Sequence, residues 1–262
     1  SCIGVIWDGT GYGTDGTIWG CEFLAGDYEG FQRLGTLRPI PLGGGDRAVK
    51  EISRVGFALL LDAGCPEAST VPQEKQKLLS KMIASGLNAP RASSMGRLFD
   101  GVYAILTGRD RVTYEGQGAI LLETMAGDST AQYPVILETG EGPAVYDFRL
   151  MIRGLVADQA AGSTPSELAA KFMNTMVEMA RIQCEEIRNR TGLNQVVLSG
   201  GVFQNMYLLP RVIKALKKAG FEVYHHSRVS ANDEGISLGQ TMIAAKGGGQ
   251  HVFGNSVSTG SN

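Results

Sequence analysis

Two glycine-rich stretches at opposite ends of the chain decide the fold. They are Asp8-Gly9-Thr10-Gly11-Tyr12-Gly13 and Ser199-Gly200-Gly201-Val202-Phe203-Gln204-Asn205, and each follows a short apolar run, residues 3–7 and 196–198. A glycine-rich loop at the end of a strand presents backbone N–H groups that suit a phosphate or another anion. Two such junctions in one α/β chain therefore predict two loops that face each other across a ligand-binding cleft.

The composition is that of an ordinary globular protein with an excess of glycine. Of the 262 residues, 43% are hydrophobic, 19% are charged and 36 are glycine. The formal net charge of −2 gives no reason to expect nucleic acid or a membrane surface as a partner. The four cysteines have no Cys-x-x-Cys spacing, which favours buried thiols, and the apolar runs are too short for a membrane span. We therefore expect a cytoplasmic protein.

The hydrophobic pattern alternates between strand and helix periods. The predicted strands are 3–7, 17–24, 132–137, 144–152, 196–198 and 221–225. The predicted helices are two pieces within 46–88, then 95–106, 119–125, 165–190, one ending near 219, and 234–246. Such alternation favours a largely parallel sheet flanked by helices. We expect one domain over residues 1–246 and a flexible tail over 247–262.

Two carboxylates stand beside glycines at predicted strand ends. Asp8 precedes Gly9, and Asp233 lies in the segment Asn232-Asp233-Glu234-Gly235. Each alone has an ordinary explanation, since Asp-Gly is a common turn and Asn and Asp are common helix N-caps. Together they are suited to share a divalent cation, for which carboxylate oxygens are good ligands.

Several other patterns carry less information. Residues 11–16 match G-x-G-x-x-G but open a strand rather than a helix, so they are not a dinucleotide fingerprint. His225 and His226 are adjacent in a predicted strand, so one is expected to face the core and the other solvent. Asp100 falls on a predicted helix, where a solvated position is the ordinary interpretation. No Ser/His/Asp or Cys/His set is recognisable, so no catalytic residue is assigned.

These motifs, together with Ser94-Met95-Gly96-Arg97-Leu98-Phe99-Asp100, resemble the C-terminal region of the HypF carbamoyltransferases of NiFe-hydrogenase maturation. The likeness extends to about residue 246, in the same order and spacing. That region is similar to the Kae1/TsaD proteins, which place threonylcarbamoyl on tRNA. The resemblance implies the α/β, two-lobed actin/sugar-kinase-like fold (ASKHA, with ribonuclease H-like lobes), of which this chain lacks part of the N-terminal lobe.

The resemblance also implies a chemistry. Members of this family form carbamoyl-adenylate from carbamoyl phosphate and ATP, and they pass the carbamoyl group to the C-terminal cysteine of HypE. By motif, Asp8 and Asp233 match the metal-ligating aspartates of the family. The residues that match its nucleotide-binding positions are Gly9, Gly11, Asp100, Gly116, Gly200, Gly201 and Asn205.

Three departures from the family pattern limit these expectations. The metal site of the family also uses two histidines from an H-x-x-x-H helix upstream of Asp8, so Zn or Fe is expected only when that segment is present. The acylphosphatase-like, zinc-finger and YrdC-like modules of full-length HypF are not in this sequence and are expected partners. Lys50-Glu51-Ile52 replaces the expected Arg-Glu-Pro, and Met173 replaces an expected histidine.

We therefore expect a fragment or a split or divergent relative that cannot form carbamoyl-adenylate alone. The alternatives are a secondary-metabolite O-carbamoyltransferase and a non-catalytic nucleotide-binding or docking module.

Overall fold

Nine strands form one mixed sheet within residues 1–247, the part of the chain that the computed structural model describes. They are β1 (Cys2–Tyr12), β2 (Ile18–Gly26), β3 (Phe31–Leu37), β4 (Ile40–Pro41), β5 (Arg91–Ser94), β6 (Leu137–Glu138), β7 (Ala144–Tyr146), β8 (Gln195–Ser199) and β9 (Glu222–His225). Their spatial order is β6-β7-β3-β2-β1-β8-β9, and β5 pairs with β2 and with β4.

The same described residues also contain nine α-helices. They are α1 (Asp46–Lys50), α2 (Ser53–Ala63), α3 (Gln73–Ser85), α4 (Met95–Thr107), α5 (Gln117–Met125), α6 (Arg149–Ala160), α7 (Pro165–Thr191), α8 (Leu208–Lys218) and α9 (Ile236–Gly247). The start of α7 is a capping box. The Thr164 hydroxyl accepts from the Glu167 N–H at 3.3 Å, and the Glu167 carboxylate accepts from the Thr164 N–H at 2.8 Å.

The sheet is mixed, so the prediction of a largely parallel sheet is wrong. Strands β1, β2 and β3 follow one another through short turns and pair antiparallel. A turn of a few residues can join only antiparallel strands, because a parallel pair needs a long crossover. The later strands β8 and β9 are parallel, with α8 as their crossover, as the alternating pattern predicts.

The predicted strand 144–152 is also wrong beyond Tyr146. Strand β7 ends there, and the Asp147 carboxylate accepts a hydrogen bond from the Arg149 N–H at 3.0 Å, which starts α6. A short apolar run has no period that separates strand from helix, and this explains the error. Of the predicted strand 132–137, only Leu137 belongs to a strand.

Strands β1 and β8 are parallel neighbours although most of the chain separates them. Ile3 pairs with Val196 and Ile6 with Ser199, so Asp8 and Gly200 emerge side by side at one edge of the sheet. The first glycine-rich stretch is not the predicted loop, because β1 continues to Tyr12 through a register shift after Trp7. Both stretches nevertheless lie at the same edge.

Close packing holds the second stretch against β1. Gly200 has φ 103° and ψ 154°, a region that is open only to glycine. A Cβ at this position would overlap the carbonyl oxygen of Trp7. In the turn that follows, the Phe203 ring stacks on the buried Trp7 indole with 5.1 Å between centroids. These contacts fix the position of Gly201 relative to Asp8.

The C-terminal part of the chain is described only as far as Gly247, the last residue of α9. Residues 248–262, on which most of the predicted flexible tail falls, lie outside the described residues. Over the described range, no helix combines the length and the apolar character that a membrane crossing requires.

The Gly200 packing leads to a stability prediction. Gly200→Ala should lower the free energy of unfolding by more than about 3 kcal/mol, because the new methyl group meets backbone and the φ, ψ pair is disfavoured. Gly192→Ala is the matched control, since Gly192 also has positive φ (74°) but open space around its Cβ position. Its cost should be about 1 kcal/mol. Urea unfolding followed by circular dichroism measures both, and equal losses would contradict the proposed contact.

Candidate functional site

A cavity of about 530 Å³ opens beside Asp8 and the turn that follows β8. Its walls come from five segments, residues 8–10 of β1, 96–99 of α4, 115–123 around α5, 201–205 after β8 and 232–234 before α9. Ligand pockets for small molecules have volumes of roughly 300–1,000 Å³, so this cavity has the size for a nucleotide. It brings together segments from both ends of the chain.

Asp8 and Asp233 both line this cavity. The Asp8 carboxylate accepts a hydrogen bond from the Gly9 N–H at 2.7 Å. Burial raises the pKa of Asp8 above its ordinary value, and the negative charge of Asp233 raises it further, while the N–H groups of Gly9 and Gly201 oppose both effects. The two carboxylates therefore face the same cavity, and their sharing of a cation stays a prediction.

These two carboxylates fit part of a cation site. Carboxylate oxygens suit divalent cations, and both face one cavity. Nowhere in residues 1–247, however, do three or more His, Cys, Asp or Glu side chains gather in a group able to hold a metal ion. Among His, Cys, Asp and Glu, the described residues thus offer these two carboxylates, fewer than the four ligands that a zinc ion usually takes.

The two adjacent histidines lie outside the cavity walls. His225 is exposed and His226 is half-buried, so the expected core-facing histidine is not found. The His226 Nε2 lies 2.9 Å from the Ser199 hydroxyl, at the end of β8. This contact ties β9 to β8 beside the glycine turn.

Four of the seven residues matched to nucleotide binding line the cavity, namely Gly9, Gly116, Gly201 and Asn205. Gly11 and Gly200 do not, because each is packed against backbone. A Cβ on Gly11 would lie 3.2 Å from the Trp19 carbonyl oxygen. These two glycines therefore shape the chain around the cavity rather than form its surface.

Asn205 has a structural task in addition to its place in the wall. Its side-chain carbonyl accepts hydrogen bonds from the Tyr207 N–H at 3.0 Å and the Leu208 N–H at 2.9 Å, which caps the start of α8. Its amide nitrogen lies 3.7 Å from the sulfur of Met173. The residue that departs from the family pattern at 173 thus packs directly under the cavity wall.

The departure at Lys50-Glu51-Ile52 lies away from the cavity. The buried Glu51 carboxylate pairs with Arg54 at 2.6 Å and with Arg111 at 2.6 Å, and Arg47 and Lys75 also contact it. Ile52 is fully buried. This segment holds α1, α2 and the 108–112 loop together.

Asp100 is buried rather than solvated, which corrects the ordinary interpretation. It is 2% exposed and is not part of the cavity wall. Gly118 of α5 covers it so closely that a Cβ there would lie 2.7 Å from an Asp100 oxygen. Burial raises the pKa of Asp100 to about 6, although the neighbouring Arg97 guanidinium lowers it. The separation between Arg97 Nη1 and Asp100 Oδ2 is 3.2 Å.

The sequence motifs did not single out Arg97, which lines the cavity in front of Asp100. Its position in α4 is otherwise apolar, with Leu98 and Phe99 following it, and Arg97 itself is 2% exposed. An Arg and an Asp three residues apart are neighbours on a helix surface, and charged residues on an otherwise apolar helix are usually paired where they are buried. The Arg97–Asp100 spacing within an apolar helix is therefore the sequence feature that could have identified Arg97.

The comparisons with known proteins agree with this arrangement. Residues 4–240 match the family model described as carbamoyltransferase, Kae1-like domain, second subdomain. The carbamoyltransferase HypF of Synechocystis is 36% identical over 264 residues, which cover 92% of this chain and 34% of that protein. A carbamoyltransferase HypF homolog of Cupriavidus necator is 34% identical, with 93% of this chain and 65% of that protein covered.

A solved structure is similar as well. It is a crystal structure of full-length HypF in the phosphate- and nucleotide-bound form, with a TM-score of 0.89 and 40% identity over 94% of this chain and 39% of that one. The mixed sheet thus belongs to the second subdomain of a Kae1-like domain, and the predicted α/β fold of the actin/sugar-kinase-like type is confirmed. The chain belongs to the HypF carbamoyltransferase family. It spans about a third of the length of the Synechocystis relative.

The buried Asp100 gives a pH prediction. Its pKa of about 6 in the folded state exceeds the ordinary 3.8, so the folded chain binds more protons at this site than the unfolded chain between those values. The contribution of Asp100 to stability is therefore fully present below about pH 4 and is lost as the pH rises towards 6. Asp100→Asn removes this dependence.

The free energy of unfolding of Asp100→Asn minus that of the original chain should therefore increase by about 2 kcal/mol from pH 4 to pH 7. Taking the difference cancels the other titrating groups, and denaturant unfolding at several pH values measures it. Parallel pH curves for the two chains would show that Asp100 titrates normally.

Proposed function

We propose that the cavity binds the adenylate part of carbamoyl-adenylate, and that the chain acts as the carbamoyltransferase domain of a longer HypF-type protein. The acceptor in this proposal is the C-terminal cysteine of a HypE-like protein. Membership of the family supports the chemistry, and the nucleotide-bound HypF structure supports a nucleotide as the ligand. The observation that carries the proposal is the single cavity that unites Asp8, Gly201 and Asn205.

Three glycines give the cavity its capacity for a close-fitting ligand. Gly9, Gly116 and Gly201 contribute backbone without a side chain to the wall, so a ribose or a phosphate can approach the main chain. In this proposal Gly200 and Asn205 act indirectly, because they hold the Gly201 turn in place. Asp100 would also act indirectly, from behind the wall.

The charges of the wall favour a cation beside the nucleotide. Among the described residues it contains five carboxylates, Asp8, Glu115, Glu123, Asp233 and Glu234, against one arginine. A phosphate would be repelled by this field unless a positive charge lies between. We therefore propose Asp8 and Asp233 as two ligands of a divalent metal, with the remaining ligands supplied by the upstream segment that the family resemblance implies.

The proposal also includes the bounds of the domain and its partners. Residues 1–246 form the second-subdomain part of a Kae1-like domain, and the upstream modules of full-length HypF are its partners within one protein or a complex. The match of residues 4–240 to the family model supports these limits. Where bound, the metal would orient the carbamoyl-phosphate end of the ligand.

Gly201→Val tests nucleotide binding. A Cβ at Gly201 would lie 3.3 Å from the Asp8 carboxylate, so the valine methyls would occupy the cavity beside it. We expect the variant to bind AMP or ATP at least tenfold more weakly than the original chain, as measured by calorimetry. Gly140→Val is the matched control, because a Cβ at Gly140 meets open space and this residue is not part of the wall. Unchanged nucleotide affinity in Gly201→Val would refute the site.

Metal content tests the roles of Asp8 and Asp233. Two carboxylates leave Zn²⁺ or Fe²⁺ short of the four or more ligands that they require, so elemental analysis of this chain should find well below one equivalent. Adding the upstream histidine segment should raise metal content towards one, and Asp233→Asn should then abolish the increase. A stoichiometric transition metal in the present chain would contradict the proposed ligand set.

A further inference from the structure

Arg97 is a buried cation whose hydrogen-bonding capacity is not used. Within the described part of the chain, neither its Nε nor its Nη1 has a hydrogen-bond partner, although the side chain is 2% exposed. Leaving a buried donor unpaired costs about 1–3 kcal/mol, and more for a charged group. Arg97 also lines the cavity, and its remaining nitrogen, Nη2, lies beside Gly9 and Glu115 of the wall, so a ligand there can accept a hydrogen bond from Nη2.

The two carboxylates near Arg97 do not satisfy it. Asp100 lies behind the guanidinium, 3.2 Å from Nη1, without the geometry of a hydrogen bond. Glu115 lies on the cavity side, where its Oε1 is 3.8 Å from Nη2, which is too long for a hydrogen bond. The Glu115 side chain is 70% exposed and is free to move into solvent. The guanidinium therefore lies between two carboxylates, the buried Asp100, which is fixed, and the exposed Glu115, which a ligand can displace.

The backbone around Arg97 is held rigidly and favours an anion. Arg97 lies in the first turn of α4, a helix of 13 residues, where the helix dipole is positive. The Ser94 hydroxyl accepts from the Arg97 N–H at 3.1 Å and donates to the Gly9 carbonyl at 2.6 Å. A Cβ on Gly96 would lie 2.7 Å from the Gly9 Cα, so α4 packs directly on β1.

We propose that Arg97 is the anion-binding residue of the cavity, where its guanidinium binds the phosphate of the nucleotide and displaces Glu115. Arg97 is the cation among the charged groups that the described residues contribute to the wall, and its Nη2, beside Glu115 and Gly9, can donate charge-assisted hydrogen bonds to a phosphate. The inference rests on the proposed function and deepens it. It assigns the phosphate end of the ligand to α4 and leaves the nucleoside to the glycine-lined part.

Calorimetric titrations with AMP, adenosine and inorganic phosphate test this assignment. Arg97→Met should weaken AMP binding tenfold or more, because hydrogen bonds to a charged group are lost, and should leave adenosine binding unchanged. Glu115→Gln should strengthen AMP binding several-fold, since it removes a repelling charge and frees the guanidinium. Arg109→Met, at an exposed arginine outside the cavity, should change neither.

The outcomes separate the two proposals. If the original chain binds neither AMP nor adenosine, the proposed nucleotide function fails. If it binds both, and Arg97→Met weakens them equally or not at all, the role of Arg97 is overturned while the nucleotide function stands. If Arg97→Met does not fold, Glu115→Gln decides, because an unchanged AMP affinity in that variant overturns the assignment. Phosphate binding that competes with AMP but not with adenosine supports it.

Discussion

The contact between Gly200 and the backbone of Trp7 is the constraint on which the rest of the site depends. Strands β1 and β8 are parallel neighbours up to the Ile6–Ser199 pair, so Asp8 of β1 and the turn after β8 lie at the same edge of the sheet. Only a residue without a Cβ lets the turn after β8 lie against β1. The stacked rings of Trp7 and Phe203 then hold the turn from below. The cavity is a consequence of this packing, because it lies between Asp8 and the turn.

The same packing places charged side chains in buried or half-buried positions, since Asp100 and Arg97 are buried and Asp8 is half-buried. Burial raises the pKa of both Asp8 and Asp100, although the Gly9 and Gly201 N–H groups lower that of Asp8 and the Arg97 guanidinium lowers that of Asp100. Arg97 is likewise buried with donors unused. A site with such unpaired charges costs stability, and a ligand with its own charges can recover part of that cost. The arrangement therefore suits recognition of a phosphorylated ligand together with a cation.

The sequence predicts the parts of this structure that depend on local chemistry. The glycine-rich stretches and the carboxylate pair are visible as short motifs, and the helical pattern over 165–190 corresponds to α7. The pairing between β1 and β8 is less accessible, because it joins residues from opposite ends of the chain. Residues 144–152 show the same limit, since β7 ends at Tyr146 and α6 begins at Arg149 within this one predicted strand.

Burial is the second property that the sequence does not specify. Asp100 looks like a solvated helix position until Gly118 of α5 covers it, and Arg97 gains its significance from the same packing. The family resemblance identifies whole motifs, but it does not distinguish the residues that contact a ligand from the residues that only support the site. The structure separates those that line the cavity, such as Gly201, from those that support it, such as Gly200.

The most direct test of the account is to locate the nucleotide by NMR. The chain has a second cavity of about 540 Å³, lined by residues that include Arg38, Asp62 and Arg91, which serves as an internal comparison. On titration with AMP, we expect the largest amide shift changes at Gly9, Gly116 and Gly201. Changes that cluster around Arg91 instead, or the absence of any saturable change, would contradict the claim that β1 and β8 build a nucleotide site.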